Sequence, residues 1–267
     1  METGGYKGYS EAKGTNRLLN NAKAVYVIWL RELIRFLREK ARIVTSLIQP
    51  AVWLFIMGKG LGSSFAGPQG VDYVKFMFPG VVGMTVLFAS LFSSISIVWD
   101  REFGFLKEIL VAPVSRTAIV IGKALSGSTT AMLQGALVLL FAPLIGMRLS
   151  LPMVLEALGL MFLISFALAS TGILIAARME SMQSFQLLMN FFVMPMFFLS
   201  GAMFPLRGLP AWMGVIARIN PLAYGIDAMK SVIIGLHEFA LGTDLAVIIV
   251  MAAAMITGAV ALFNREG

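Results

Sequence analysis

Apolar residues run along most of this chain in long blocks separated by short clusters of charge, proline and glycine. Segments 76–99, 119–145, 153–177, 183–203 and 245–263 each have about the 20 residues that take a helix across a hydrocarbon core. A weaker block, 43–60, passes through Gln49-Pro50 and ends beside Lys59, whose long stem can snorkel to the far interface. Six such spans leave both termini on one side of the membrane.

The segments between the blocks carry patterns of their own. Around a helix drawn for 25–42 at about 100° per residue, Arg31, Glu32, Arg35, Arg38, Glu39 and Arg42 share one sector while Trp29, Leu30, Leu33, Phe36 and Leu37 lie opposite, with Ile28 and Lys40 as misfits. A basic polar face just ahead of a span predicts an amphipathic helix over 23–42 lying in the membrane surface; a helix packed on a soluble partner is the alternative. Residues 1–22 are polar and read as a mobile cytoplasmic tail with no secretory leader pattern. Between the second and third spans, Phe103, Leu106, Ile109 and Leu110 share a helical face, Arg101, Glu102, Lys107 and Glu108 form the polar one, and Pro113 ends the helix. Before the last span, 205–242 holds three prolines and apolar pieces too short to cross. Its Asn220-Pro221 suits an N-cap and first helical residue, so the segment reads as re-entrant external helices.

Composition agrees and adds direction. Of 267 residues, 58% are hydrophobic and 13% charged, too few charges for a soluble domain. The net charge of +7 is not a nucleic-acid footprint, because the basic residues collect at membrane boundaries. With a cytoplasmic N-terminus, fifteen Lys and Arg fall on the inner side and six on the outer, the asymmetry expected of a cytoplasmic-membrane protein with both termini inside. The fold class is therefore an all-α membrane protein with six transmembrane helices over 43–267.

Catalytic and cofactor chemistry is sparse. There is no cysteine and one histidine, His237, which removes thiolate and His-rich metal sites. Gly122-Lys123 lacks the flanking residues of a phosphate-cradling loop, so the chain has no nucleotide site of that kind. Ser200-Gly201 with His237 could be cast as an intramembrane serine protease, but Phe198 stands where rhomboid-like enzymes carry glycine. Polar residues within spans are costly and often functional. Gln183, Gln186 and Asn190, at i, i+3 and i+7, share a face that could line a pathway or bond another helix. Asp227 and Lys230, at i,i+3, are expected to neutralise each other.

Four motifs carry a family resemblance: Phe78-Pro79-Gly80, Lys107-Glu108-Ile109-Leu110-Val111-Ala112-Pro113-Val114, Leu199-Ser200-Gly201-Ala202-Met203-Phe204-Pro205, and Asn220-Pro221-Leu222-Ala223-Tyr224-Gly225-Ile226-Asp227-Ala228-Met229-Lys230. Together they make the chain resemble, over nearly its whole length, the permease subunit of a type-2 ABC transporter, in the branch with daunorubicin-resistance and nodulation lipo-oligosaccharide exporters. The resemblance implies a half-transporter whose two copies, most simply a homodimer, assemble with two ABC ATPase subunits that bind ATP and Mg. It implies that 100–113 is the coupling helix, with Arg101, Glu102, Phe103, Leu106, Lys107, Glu108, Leu110 and Pro113 against the ATPase. It places the interfacial helix, with Arg31, Arg35 and Arg38, near ATPase and lipid. It also makes Pro205, Asn220, Pro221, Tyr224, Asp227 and Lys230 an external gate. The implied cargo is an amphipathic drug-like molecule, lipid or lipid-linked saccharide moved outward; a polysaccharide permease of the same family and, more remotely, a membrane hydrolase are the alternatives.

Overall fold

The computed structural model describes residues 5–62, 70–103 and 114–265, with side chains from residue 19 onward except 42 and 61. Among the described residues every regular element is helical. Helix α1 (Gly5–Arg38) breaks at Glu39 and is followed by α2 (Lys40–Ala51), a π-helical turn (Val52–Met57) and α3 (Gly58–Gly62). Then come α4 (Tyr73–Ser93), α5 (Ile95–Glu102), α6 (Arg116–Leu139) with a 3₁₀ turn at Ala142–Ile145, and α7 (Leu151–Ala176). The chain closes with α8 (Met182–Phe198), α9 (Ala211–Ile219), α10 (Pro221–Ile234) and α11 (Leu241–Arg265).

Five of these stretches are long and apolar enough to cross a membrane: Ile43–Gly60, Tyr73–Glu102, Arg116–Ile145, Leu151–Ala176 and Leu241–Arg265. The fifth predicted span, 183–203, is shorter than expected. Its helix ends at Phe198, 17 residues from its start, because the chain turns through Gly201 at φ 78°. Only glycine takes that left-handed conformation without cost. Two other boundaries move. Most of 1–22, read as a tail, is helical from Gly5, and the 23–42 helix is interrupted at Glu39 (φ −82°, ψ 65°) rather than running through to Arg42.

Helix starts follow their capping residues. Asp72 accepts from the backbone N–H of Val74 and Lys75, and Ser115, Ser150 and Ser181 each accept from the N–H three residues on. Asn220 accepts from Leu222 N–H with Pro221 in the first turn, as the sequence predicts. Helices α4, α6 and α7 form the centre, α10 and α11 pack on one side and α1 lies along α6. Small residues permit the central crossings: a Cβ on Gly127 would lie 2.3 Å from Ser93 Oγ, and one on Gly172 2.6 Å from Ser94 Oγ. Ser94 Oγ donates to Ala169 O and Ser165 Oγ to Ser128 O, tying α7 to its neighbours through backbone carbonyls.

Helix α1 also packs on the bundle, through a face that the amphipathic pattern does not mark. Ile28, the apolar misfit, packs against Gly122 of α6, Trp29 Nε1 donates to Thr129 Oγ1 at 2.9 Å, and Glu32 turns toward Lys123. Tyr26, Val27, Ile34 and Leu37 stay exposed. The helix packs through a mixed face because α6 offers it a buried lysine.

Candidate functional site

Two ends of the bundle concentrate polar chemistry. At the end where α5 leaves the membrane, Lys123 of α6 is 8% exposed, and its Nζ lies 3.3 Å from Asp100 Oδ2 of α5 and 3.7 Å from Glu32 Oε1 of α1. It also donates to Ser96 Oγ at 3.0 Å. A cation this deep is held only because two carboxylates and a hydroxyl replace its water. Burial alone would raise the Glu32 carboxyl pKa, but Lys123 and Arg31 outweigh it and hold the group below its ordinary value.

The same end anchors the connection between the second and third spans. Arg101 donates to Met179 O, and Glu102 Oε2 accepts the N–H of Met182 at 3.1 Å, so the end of α5 is bound to the turn into α8. On the other side of the connection, Ser115 N–H donates to Asn21 Oδ1 at 3.1 Å and Arg116 donates to Phe263 O at 2.9 Å. Phe103 is exposed and lies tilted against Trp99, their ring centres 5.4 Å apart. Leu106, Lys107, Glu108, Leu110 and Pro113 lie outside the described residues.

Helix α8 touches the bundle through one stripe. Phe185, Met189, Val193 and Phe197, four apart, are buried, whereas Gln183, Gln186 and Asn190 are exposed on a shared face as expected. Arg31, Arg35 and Arg38 are likewise exposed, Arg31 bonded to Glu32 and Arg35 to Glu39.

At the opposite end, α10, Phe76 of α4, the loop after α8 and the loop before α11 line a cavity of about 310 Å³ that includes Ser200, Asp227, Lys230 and His237. The expected Asp227–Lys230 ion pair is not among the ion pairs of the described residues. Lys230 Nζ instead donates to Gly201 O at 2.5 Å and sits 3.5 Å from the centre of the Phe76 ring. Asp227 accepts from the backbone N–H groups of Glu238 and Phe239 at 2.8–3.0 Å. The reason is reach: the helix directs the hydrogen bonds of the two side chains to backbone groups of different loops, while Asp227 and Glu238 still act on Lys230 through space. Asn220 Nδ2 donates to Met196 O, Tyr224 Oη donates to Arg218 O, and Pro205 lines the cavity. Ser200 Oγ–H is committed to Phe197 O, which leaves no activated hydroxyl for His237 to use.

Sequence reasoning missed Glu32, Asp100 and Lys123. The signal was present, since Lys123 is an ionisable residue inside a predicted span.

The model of the ABC-2 type transporter family matches residues 23–234. Nodulation protein J of Rhizobium meliloti (strain 1021) is 30% identical over 211 residues, covering 78% of this chain and 80% of its own length. The transport permease ycf38 of Cyanophora paradoxa is 29% identical over 212 residues, 77% of this chain and 72% of its own. The inner membrane transport permease YadH of Escherichia coli (strain K12) is 27% identical over 236 residues, 85% and 89% respectively. With an all-helical bundle, five helices of membrane-crossing length and a family match across most of its length, the chain belongs to the ABC-2 type transporter family: it is a transport permease, the membrane subunit of an ABC transporter, and not an enzyme.

Proposed function

We propose that this permease is one half of an ATP-driven exporter in the cytoplasmic membrane of a prokaryote, six-spanning with α8 as its short fifth span and both termini cytoplasmic. Two copies pair, two ABC ATPase subunits carrying ATP and Mg dock on them, and an amphipathic drug-like molecule, lipid or lipid-linked saccharide moves outward. The observation that carries the reading is the open polar face of α8. Amides facing hydrocarbon are costly, so Gln183, Gln186 and Asn190 call for a second polar helix or a watery pathway, and paired permeases supply both.

Inward-side basic residues support the orientation, with α1 and its Arg31, Arg35 and Arg38 lying in the interface. In this reading 100–113 is the coupling helix, its apolar Phe103, Leu106 and Leu110 and its polar Arg101, Glu102, Lys107 and Glu108 meeting the ATPase. The α9–α10 region, pinned by Asp227 and Lys230, is the outer gate.

Because the chain has no cysteine, single substitutions report pairing directly. Asn190→Cys and Gln186→Cys in membranes are expected to give an oxidant-dependent dimer, while Val250→Cys on α11 does not. Vesicles holding the permease and its ATPase are expected to move a fluorescent amphiphile only with ATP. Monomers at every α8 position, or no ATP-dependent movement of any amphiphile, overturns the proposal.

A further inference from the structure

One buried carboxyl has no partner. Asp244 lies in the first turn of α11, where its backbone N–H donates to Ala240 O at 3.2 Å. The residue is 0% exposed, and neither of its carboxyl oxygens has a hydrogen-bond partner, alone among the buried side chains of the described residues. Asp227 makes the contrast: it is buried too, but accepts from the backbone N–H groups of Glu238 and Phe239.

No neighbouring cation compensates Asp244. Of the helices packed on α11, α10 carries Asp227 and Lys230, α7 carries Glu156, which is exposed, and α6 carries Arg116 and Lys123, which belong to the other end of the bundle. His237 and Glu238 stand in the loop ahead of α11. Lys230 is turned to Gly201 O, and Glu238 is paired with Arg207. The charge that acts on Asp244 through space is that of Asp227, which has the same sign.

A carboxylate in this position gives up its water for nothing, and the cost far exceeds what the positive end of α11 returns. Three resolutions exist in principle: a donor, a bound metal cation or a proton. The donor is missing. A metal cation needs several ligands, and among the described residues no three His, Asp or Glu side chains converge. A proton needs only the carboxyl itself, and it removes both the buried charge and the repulsion from Asp227.

We infer that Asp244 is a proton-binding site of the outer gate: it is buried as the neutral acid while the gate is closed, and it releases its proton to outside water when the gate opens. The inference deepens the proposed function and rests on it, since it names the regulation of the α9–α10 gate. The connection is short. Asp227 grips residues 238 and 239, and the chain from there enters the turn of α11 that buries Asp244. Loosening that grip admits water to Asp244, whose O–H then ionises beside Asp227, and the two like charges resist reclosure. The closed form therefore holds one proton that the open form does not. Acid outside keeps the gate shut, and rising outside pH favours opening, by at most about tenfold per pH unit for a single proton.

The test has two readouts on the full permease with its ATPase. In nanodiscs at pH 6, infrared spectroscopy is expected to show the carbonyl stretch of a protonated carboxylic acid that Asp244→Asn removes, Asp244→Glu shifts and Glu156→Gln leaves in place. No such band, or one that neither substitution at 244 alters, overturns the inference; should the Asn variant fail to assemble, the Glu variant carries the assignment. Opening is read in sealed right-side-out vesicles from Ser200→Cys, a buried position in the gate cavity of a chain that has no cysteine, labelled by a membrane-impermeant maleimide. Labelling rates with and without Asp244→Asn are compared at each pH, which cancels the thiol's own ionisation. Their ratio is expected to be near one at pH 5.5 and to favour the protein with Asp244 by about tenfold at pH 8.5. A ratio that does not change with pH overturns the inference. ATP-driven movement of a fluorescent amphiphile is measured in parallel: movement without the Asp244 band sinks the proton site and leaves the exporter standing, whereas the band and the pH-dependent ratio without ATP-driven movement sink the exporter reading instead.

Discussion

Lys230 and Asp227 sit one helical turn apart on α10, and each makes its hydrogen bonds to backbone groups rather than to the other. Lys230 holds the carbonyl of Gly201, in the sharp turn after α8, and lies over Phe76 of α4; Asp227 holds the later part of the loop before α11. Hydrogen bonds to charged groups contribute about 1.5–3 kcal/mol, and a reversed charge at either site loses its bonds and repels the group it used to hold. The double reversal Asp227→Lys, Lys230→Asp is therefore expected to stay as defective in transport as either single reversal. Recovery in the double variant, at equal membrane levels, would mean the two side chains do pair. The turn that Lys230 holds also fixes what stands at position 80: a Cβ on Gly80 would lie 2.5 Å from Ala202 O and 2.7 Å from its Cα. These are backbone atoms that cannot swing aside, so Gly80→Ala should destabilise the detergent-solubilised protein by about 1–3 kcal/mol. Gly159→Ala on α7, with nothing within 4 Å, should be neutral or stabilising by up to about 1 kcal/mol. Thermal unfolding of both variants measures the difference.

Among the elements, the spans were readable because a helix in lipid must be apolar for its whole crossing, a constraint written residue by residue. The cap Asn220 and the shared face of Gln183, Gln186 and Asn190 were equally local. What sequence could not place was the facing of α1, because Glu32 belongs with the arginines by periodicity and with Lys123 by contact. A partner 91 positions away leaves no periodic trace. That contact, with Asp100, makes Lys123 the rivet joining α1, α5 and α6. Lys123→Met and Glu32→Gln should each loosen α1, and together they should cost less than the sum of the two, measured as protease sensitivity of the α1–α6 junction in membranes. The acid side follows from the lowered Glu32 pKa: its contribution is complete above the ordinary carboxyl pKa of 4.5 and is lost as pH falls below it. Protection of α1 should thus fall on acidification below that point in the unaltered protein and change less in Glu32→Gln. Full additivity and an unchanged acid profile would remove the rivet.

For the molecule as a whole, the 100–116 connection matters through what holds its two ends. Arg101 and Glu102 bind the turn into α8, Ser115 binds Asn21 of α1, and Arg116 binds the last turn of α11. Under the proposed coupling, a push on this connection would be delivered to α8, α1 and α11 together, which is what an ATPase needs in order to bias a two-state bundle. In the proposed coupling role, Leu106 and Leu110 are the contacts through which such a push would enter, since they share the apolar face that the sequence predicts for this segment. A carboxylate at either position would have to be buried unpaired in the ATPase groove, at a cost of several kcal/mol. Leu106→Asp and Leu110→Asp are accordingly expected to weaken ATPase binding by roughly a hundredfold or more, since each 1.4 kcal/mol is a factor of ten. Membrane insertion should be untouched, because the spans themselves are unaltered. Co-purification of the ATPase with the tagged permease and ATP-driven transport in vesicles measure the two halves of this expectation. A variant that keeps its ATPase and full transport shows that force enters the bundle elsewhere. One that keeps the ATPase but hydrolyses ATP without moving cargo places Leu106 in transmission rather than in docking.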